Sequence, residues 1–320
     1  MNSTTDIVLL GAGGKVAQFL VRLFLAETDW SMTLLSGQDL RGVYPELSRL
    51  SVKQVSATDY KEVRRECSNV KPRVIINCAA MTNVDMCESD RQMASALNVK
   101  VVENLVRACS INEAHLIHFS TDYIFNGEKG PYTETDTPDP INYYGRTKLA
   151  GENAILTSSI PATILRTNIV YGHFPGMKKD FVTWVRESCA GGQEISVVQD
   201  QFGNPTAAAD VAVATMRVIE RGKVGIYNVG GPEYLDRFSF ACRIATFFGH
   251  SIECINPETT AHLQQPAKRP LRAGLVTLKA ETDLGLKRTR IEDGLLDYKR
   301  NLAQRASVLR DFSSSSTSGS

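Results

Sequence analysis

The first half of the chain alternates short apolar runs with longer stretches in which apolar positions recur every three or four residues. Ile7-Val-Leu-Leu10, Met32-Thr-Leu-Leu35, Val52–Val55, Val74-Ile-Ile-Asn77, Leu116-Ile-His-Phe119 and Thr163-Ile-Leu-Arg166 read as strands. Helical periodicity falls between them, over Lys15–Glu27, Tyr60–Cys67, Arg91–Cys109 and Tyr143–Leu156. Strands apolar at successive positions must be covered on both faces, which means a parallel sheet between layers of helices. The βαβαβ order at the start therefore predicts an α/β fold, a doubly wound parallel sheet of Rossmann type.

After Tyr171-Gly172 the alternation loosens. Helices are expected over Asp180–Cys189, before Gly191-Gly192, and over Ala207–Arg221, with Gly222 as the residue that ends it. Ser239 is positioned to cap a helix ending near Phe248, and Thr289-Arg-Ile-Glu292 has the spacing of a capping box. The pattern divides the chain into a cofactor half, residues 1–170, onto which 205–228 packs back, and a smaller mixed α/β substrate half, 171–305. Residues 306–320 end in a run of Ser, Thr and Gly and read as a disordered tail.

Composition excludes several classes. Of 320 residues, 36 are Lys or Arg and 35 Asp or Glu, so the net charge is +1 and no broad basic face is available for nucleic acid. No run of about 18 apolar residues appears, so no membrane span is expected. The start lacks a basic segment followed by a long apolar one, which points away from secretion and toward the cytoplasm. Seven scattered cysteines without a CxxC, and five histidines without HxH or HExxH spacing, predict free thiols and no metal site.

The candidate chemistry begins at Gly11-Ala-Gly13-Gly14-Lys15-Val16-Ala17, directly between the first strand and the first helix. Glycine there permits a tight exit from the strand and close approach of backbone N–H groups to a pyrophosphate at the positive end of the helix. This makes Gly11, Gly13, Gly14, Lys15 and Val16 candidate cofactor contacts. The second strand ends at Leu35-Ser36-Gly37 with no acid at its tip. Ser36 and Arg41 suit a 2′-phosphate, which favours NADP(H) over NAD(H), although Asp39 and Arg41 read equally well as ordinary loop charges. Asp59 is placed either to reach an adenine or to cap the next helix.

Tyr144 and Lys148 stand four apart on one helical face, where a cation lowers the pKa of a phenol and prepares it for proton transfer to a carbonyl. Thr121, at the end of the fifth strand, lies where ligands bind in open α/β sheets.

Together, Gly11–Ala17, Asn77–Asp85, Ser120–Gly127 and Tyr144–Lys148 resemble the extended short-chain dehydrogenases/reductases. Pro131–Glu134, Gly145–Glu152, Leu165–Thr167, Asp200–Thr206 and Arg269-Pro270 narrow the resemblance to the dTDP-4-dehydrorhamnose reductase branch, over about residues 6–300. The resemblance implies NAD(P)H-dependent reduction of the 4-keto group of a nucleotide-activated deoxysugar, with Thr121, Tyr144 and Lys148 as catalytic residues. It places Ala79 and Ala80 along the cofactor, Asp122 and Tyr123 near the sugar, and Arg269 where the smaller half approaches the substrate. A homodimer is compatible with it. Two departures fall on the substrate side: Ile169 stands where the branch often has tryptophan, and Arg269-Pro-Leu-Arg-Ala-Gly274 lacks the usual Ser-Arg. Two alternatives share these residues: a sugar-nucleotide epimerase or dehydratase, and a cofactor-binding regulatory subunit similar to the methionine adenosyltransferase β subunit.

Overall fold

The computed structural model describes residues 6–303; the expected tail at 306–320 lies outside them. Strands β1 (Ile7–Leu10), β2 (Met32–Ser36), β3 (Leu50–Gln54), β4 (Val74–Asn77), β5 (His115–Thr121) and β6 (Ala162–Thr167) alternate with helices. These are α1 (Lys15–Glu27), α2 (Tyr60–Val70), α3 (Val84–Ser89), α4 (Arg91–Ser95), α5 (Val101–Asn112) and α6 (Tyr143–Leu156). There follow β7 (Val170–Tyr171), α7 (Phe181–Ala190), β8 (Ile195–Val198), β9 (Phe202–Gly203), β10 (Thr206–Ala207), α8 (Ala208–Arg221) and β11 (Gly225–Val229). The chain continues through β12 (Leu235–Asp236), α9 (Arg237–Phe248), β13 (Ile255–Glu258), α10 (Thr260–Leu263), α11 (Leu278–Leu284) and α12 (Ile291–Ala303).

Seven strands form one parallel sheet in the order β3-β2-β1-β4-β5-β6-β11, so the direction of winding reverses between β1 and β4. All four residues of β1 are fully buried because each faces a different layer in turn. Ile7 and Leu9 join a core with Leu20, Phe24, Val211 and Ile219 from α1 and α8. Val8 and Leu10 join another with Val63, Val102, Leu105 and Ile155 from α2, α5 and α6. Each fully buried aliphatic side chain of this kind contributes about 1.5–3 kcal/mol by leaving water. A third core gathers Val182, Val185, Ile195, Phe240, Ile244, Leu295 and Tyr298 from α7, β8, α9 and α12. No helix among the described residues is long and apolar enough to cross a membrane.

Several local expectations need correction. The single helix expected over Arg91–Cys109 is interrupted by a π-helical turn at Ala96–Lys100. Asn98 in that wider turn accepts from Met81 N at 2.8 Å and donates to Met81 O and Thr147 Oγ1, polar pairing that periodicity does not reveal. The third strand starts two residues earlier than its apolar pattern indicates. It is an edge strand in which only Leu50 is buried, so it carries no burial pattern to read. Ser239 does not cap α9; Asp236 does, accepting from Ser239 N at 2.8 Å. The capping box at Thr289 does not form, because Thr289 bonds Asp210 instead and the Ile291 N–H goes to Glu233. The strand β11, which extends the sheet beyond β6, was not expected as a strand.

Candidate active site

The site lies at the carboxyl ends of β1, β4, β5 and β6, around the point where the winding reverses. Gly11 leaves β1 at φ +81°, and its N–H and that of Ala12 donate to Leu35 O at 2.9 and 3.1 Å. A Cβ at Gly11 would stand 2.6 Å from Ala79 N and 2.7 Å from Cys78 C, so both conformation and space exclude any other residue. The loop after β4, with Ala79 and Ala80, thereby lies directly against the glycine turn.

Helix α1 begins at Gly14 with no side-chain cap and no acid in its first turn. By contrast, Asp59, Asn83, Asp90, Asn142, Asp180 and Asp236 cap α2, α3, α4, α6, α7 and α9. An uncapped helix start beside a close-approach glycine is the arrangement that accepts a phosphate group. Gly13 adjoins Gln38 and Ser36, and Val16 packs against the α1 core.

Three expected cofactor contacts are engaged elsewhere. The Lys15 ammonium donates to Gly172 O and pairs with Asp180 at 3.0 Å, tying α1 to the N-cap of α7. The Asp59 carboxylate accepts from Glu62 N at 3.1 Å and so caps α2, one of its two expected roles. The Ser36 hydroxyl is buried and accepts from Gln38 N at 3.0 Å. Arg41 is exposed and holds Asp39 through Nε at 2.7 Å.

Thr121 ends β5 with its hydroxyl buried, accepting from Tyr123 N at 3.2 Å and donating to Asp122 Oδ1 at 3.3 Å. Tyr144 sits in the first turn of α6, which is held by Asn142 accepting from Gly145 N at 2.8 Å. A Cβ at Gly145 would fall 2.1 Å from Tyr123 O, so glycine alone lets the helix start press against the end of β5. The Tyr123 and Tyr144 rings meet edge to face at 6.0 Å. Desolvation raises the pKa of the Tyr144 phenol, Asp122 adds to the rise and the nearby Thr121 hydroxyl opposes it, so the phenol is held protonated above its ordinary range.

The structure departs here from the simple pairing of a phenol with a cation. Lys148 is only 2% exposed. Its Nζ turns to β5, donating to Phe119 O at 2.6 Å and lying 3.2 Å from His118 Nε2. Burial pushes its pKa down to about 8, with Glu152 opposing.

On the substrate side, Asp122 is buried and its second oxygen accepts from Asn168 Nδ2 at 2.9 Å and Gly274 N at 3.1 Å. Burial raises its pKa and these bonds oppose the rise. Its oxygens are thus taken up within the protein, joining β5, the end of β6 and the 274 segment, and not turned to a sugar. Arg269 is likewise engaged, with Asp85 at 2.8 Å and Ala267 O at 2.9 Å. Tyr123 keeps its place beside Tyr144. Sequence reasoning missed Arg237, the first residue of α9, whose charge acts on both Asp122 and Tyr123. It also missed Asn77, buried at the end of β4, and His118, buried in the middle of β5. Both read as strand positions, and nothing in their spacing separates them from core.

Comparisons with known proteins agree with this architecture. The family model described as "RmlD substrate binding domain" matches residues 5–303. A dTDP-4-dehydrorhamnose reductase of Mycolicibacterium smegmatis is 36% identical over 82% of this chain and 76% of its own. Methionine adenosyltransferase 2 subunit beta of Mus musculus is 31% identical over 90% of this chain and 85% of its own. Among solved structures, dTDP-4-dehydrorhamnose reductase from Bacillus anthracis in complex with NADP superposes with a TM-score of 0.80 at 27% identity, covering 93% of this chain and 99% of that one. With its parallel sheet, glycine turn and Thr121–Tyr144–Lys148 cluster, the chain belongs to the RmlD substrate-binding-domain family, in the dTDP-4-dehydrorhamnose reductase-like branch of the extended short-chain dehydrogenases/reductases.

Proposed function

We propose that this chain is an NAD(P)H-dependent oxidoreductase that reduces the 4-keto group of a nucleotide-activated deoxysugar. The observation that carries the reading is the juxtaposition of a half-buried, protonated phenol at Tyr144 with the Thr121 hydroxyl, beside an uncapped helix start built for a phosphate. The residues present fit a dinucleotide: the Gly11–Gly14 turn and the first turn of α1 would hold its pyrophosphate, with Ala79 and Ala80 alongside. The bound dinucleotide supplies the hydride that reaches the carbonyl carbon. Tyr144 gives its proton to the carbonyl oxygen, and burial suits it to that task because the phenol stays protonated until a base of comparable strength develops beside it. Thr121 orients the same oxygen. Lys148, one turn along α6, in its charged form adds positive potential on the side of the phenolate that Tyr144 becomes.

Cofactor binding is assigned to residues 1–170 with 205–228, and substrate binding to 171–305. On this side Tyr123 and Arg237 are the groups best placed to meet the sugar nucleotide. Ser36 and Arg41 favour NADP(H), provided that Arg41 releases Asp39. A homodimer in the cytoplasm belongs to the same proposal, and sedimentation of the purified protein tests the dimer.

The experiment is turnover of a panel of nucleotide-linked 4-keto sugars with NADPH and with NADH. Stoichiometric cofactor oxidation with one of them supports the reading. Absence of oxidation with every sugar, together with tightly held NAD⁺ copurifying with the protein, identifies an epimerase or dehydratase. Absence of turnover with a stoichiometric partner enzyme identifies a regulatory subunit, the role suggested by the 31% identity to the methionine adenosyltransferase subunit.

A further inference from the structure

Two buried side chains, Asn77 and His118, connect the buried Lys148 to the backbone of the cofactor crevice. Asn77, His118 and Lys148 are 1%, 1% and 2% exposed. Asn77 Oδ1 accepts from Ala79 N at 3.1 Å, Asn77 Nδ2 lies 3.1 Å from His118 Nδ1, and His118 Nε2 lies 3.2 Å from Lys148 Nζ.

The donor and acceptor roles along this chain are fixed from one end. A backbone N–H can only donate, so the Asn77 atom that faces Ala79 is the carbonyl oxygen. The amide NH₂ then faces the imidazole, and it too can only donate. His118 Nδ1 is therefore the acceptor and carries no proton. The ring is uncharged, since burial and the neighbouring lysine hold its pKa well below the ordinary value. A neutral imidazole has one proton, which must sit on Nε2 and point at Lys148 Nζ.

That arrangement opposes an ammonium at Lys148. An ammonium has only donors, so N–H would face N–H across 3.2 Å. An amine resolves the conflict, because its lone pair accepts Nε2–H while one of its own protons goes to Phe119 O. Charging Lys148 requires the opposite polarity throughout. The Nε2 proton passes to Nζ, one proton from solvent enters at Nδ1, the Asn77 amide turns over, and Ala79 N–H loses its acceptor.

We propose that Asn77 and His118 form a hydrogen-bond relay that ties the charge of Lys148 to the free or engaged state of the Ala79 N–H, beside the Gly11 turn. His118 and Asn77 are positioning residues in this account, which rests on the assignment of Lys148 to the reductase site. The other charged or titratable groups around Lys148 do not disturb the polarity argument. Glu152, one turn further along α6, is already held by Arg166 of β6 through a two-pronged pair with both side chains buried. Tyr144, one turn earlier, is held as the neutral phenol.

The test is nitrogen NMR of the full-length protein without cofactor, with labelled histidine and lysine, recorded across pH 6–11. His118→Phe and Lys148→Met assign the signals. The expected result is a neutral His118 at every pH whose proton moves from Nδ1 to Nε2 with the same midpoint at which Lys148 loses its charge. In Asn77→Asp a carboxylate accepts from both Ala79 N and Nδ1–H, so the Nδ1–H form persists throughout and the Lys148 midpoint rises at least about tenfold in proton affinity. A single His118 tautomer across the wild-type titration, or a change with a midpoint unrelated to Lys148, overturns the relay. If Asn77→Asp fails to fold, the wild-type tautomer measurement decides alone. Turnover does not enter the readout, so the relay and the reductase assignment can fail separately.

Discussion

Where β1 meets α1, the groups offered to a ligand are backbone: a glycine turn and an uncapped helix start. On the substrate side they are side chains already satisfied within the protein, Asp122 by the Asn168 amide and the Gly274 N–H, and Arg269 by Asp85 of α3. The first region leaves the start of α1 without a side-chain cap, and a pyrophosphate can take the N–H groups of that first turn. The second works by fixing a scaffold, with Tyr123 and Arg237 as the groups proposed to meet the substrate. An anionic ligand is held here by local devices, because a chain of net charge +1 provides no global field.

The contrast predicts different failures on the two sides. Gly11→Ala should act on the cofactor region most severely, since the methyl group meets the backbone of Cys78 and Ala79 below 3 Å in a left-handed conformation. We expect a loss of about 3 kcal/mol or more in NADPH affinity, roughly a hundredfold, read by fluorescence titration. Asp122→Ala should instead lower stability, by about 2–4 kcal/mol in urea denaturation, because it strands the buried donors of Asn168 and Gly274.

Lys148→Met should do the reverse at neutral pH. Lys148 has a folded-state pKa of about 8, below its unfolded value of 10.5, so the folded protein binds fewer protons between these values. Stability therefore rises with pH across that window, and the full cost of burying the charge is present at pH 7. Removing it should raise stability at pH 7 by about 1–3 kcal/mol, abolish the pH 8–10.5 rise, and eliminate reduction. The smallest effect belongs to the exposed Arg41. Arg41→Ala should raise the KM for NADPH about fivefold, with NADH unchanged. Equal effects on both cofactors would remove Arg41 from 2′-phosphate recognition.

The same contrast explains what the sequence made legible. Strands β1 and β4 and helices α1 and α6 match their expected limits because consecutive burial and helical period are local signals. The glycine turn was readable for the same reason: the strand, the turn and the helix are contiguous. The polar pairings of the substrate side join residues far apart, Asp122 to Gly274 and Asp85 to Arg269, and no local pattern encodes them. Lys15 shows the limit most clearly. Its place in the turn suggested a phosphate contact, yet its charge is taken by Asp180, 165 positions further along the chain. His118 and Asn77 were hidden inside strands whose apolar neighbours made every position look like core.

The most direct measurement compares wild type and Tyr144→Phe in NADPH oxidation driven by a dTDP-linked 4-keto-6-deoxysugar, with NADPH affinity measured on both. The phenol is the proposed proton donor and makes no part of the glycine turn. The expected result is turnover by the wild type and a fall in kcat/KM of about 10²–10⁴ in the variant, with cofactor affinity retained. Equal turnover by the two proteins would contradict the assignment of Tyr144, and with it this account of the site.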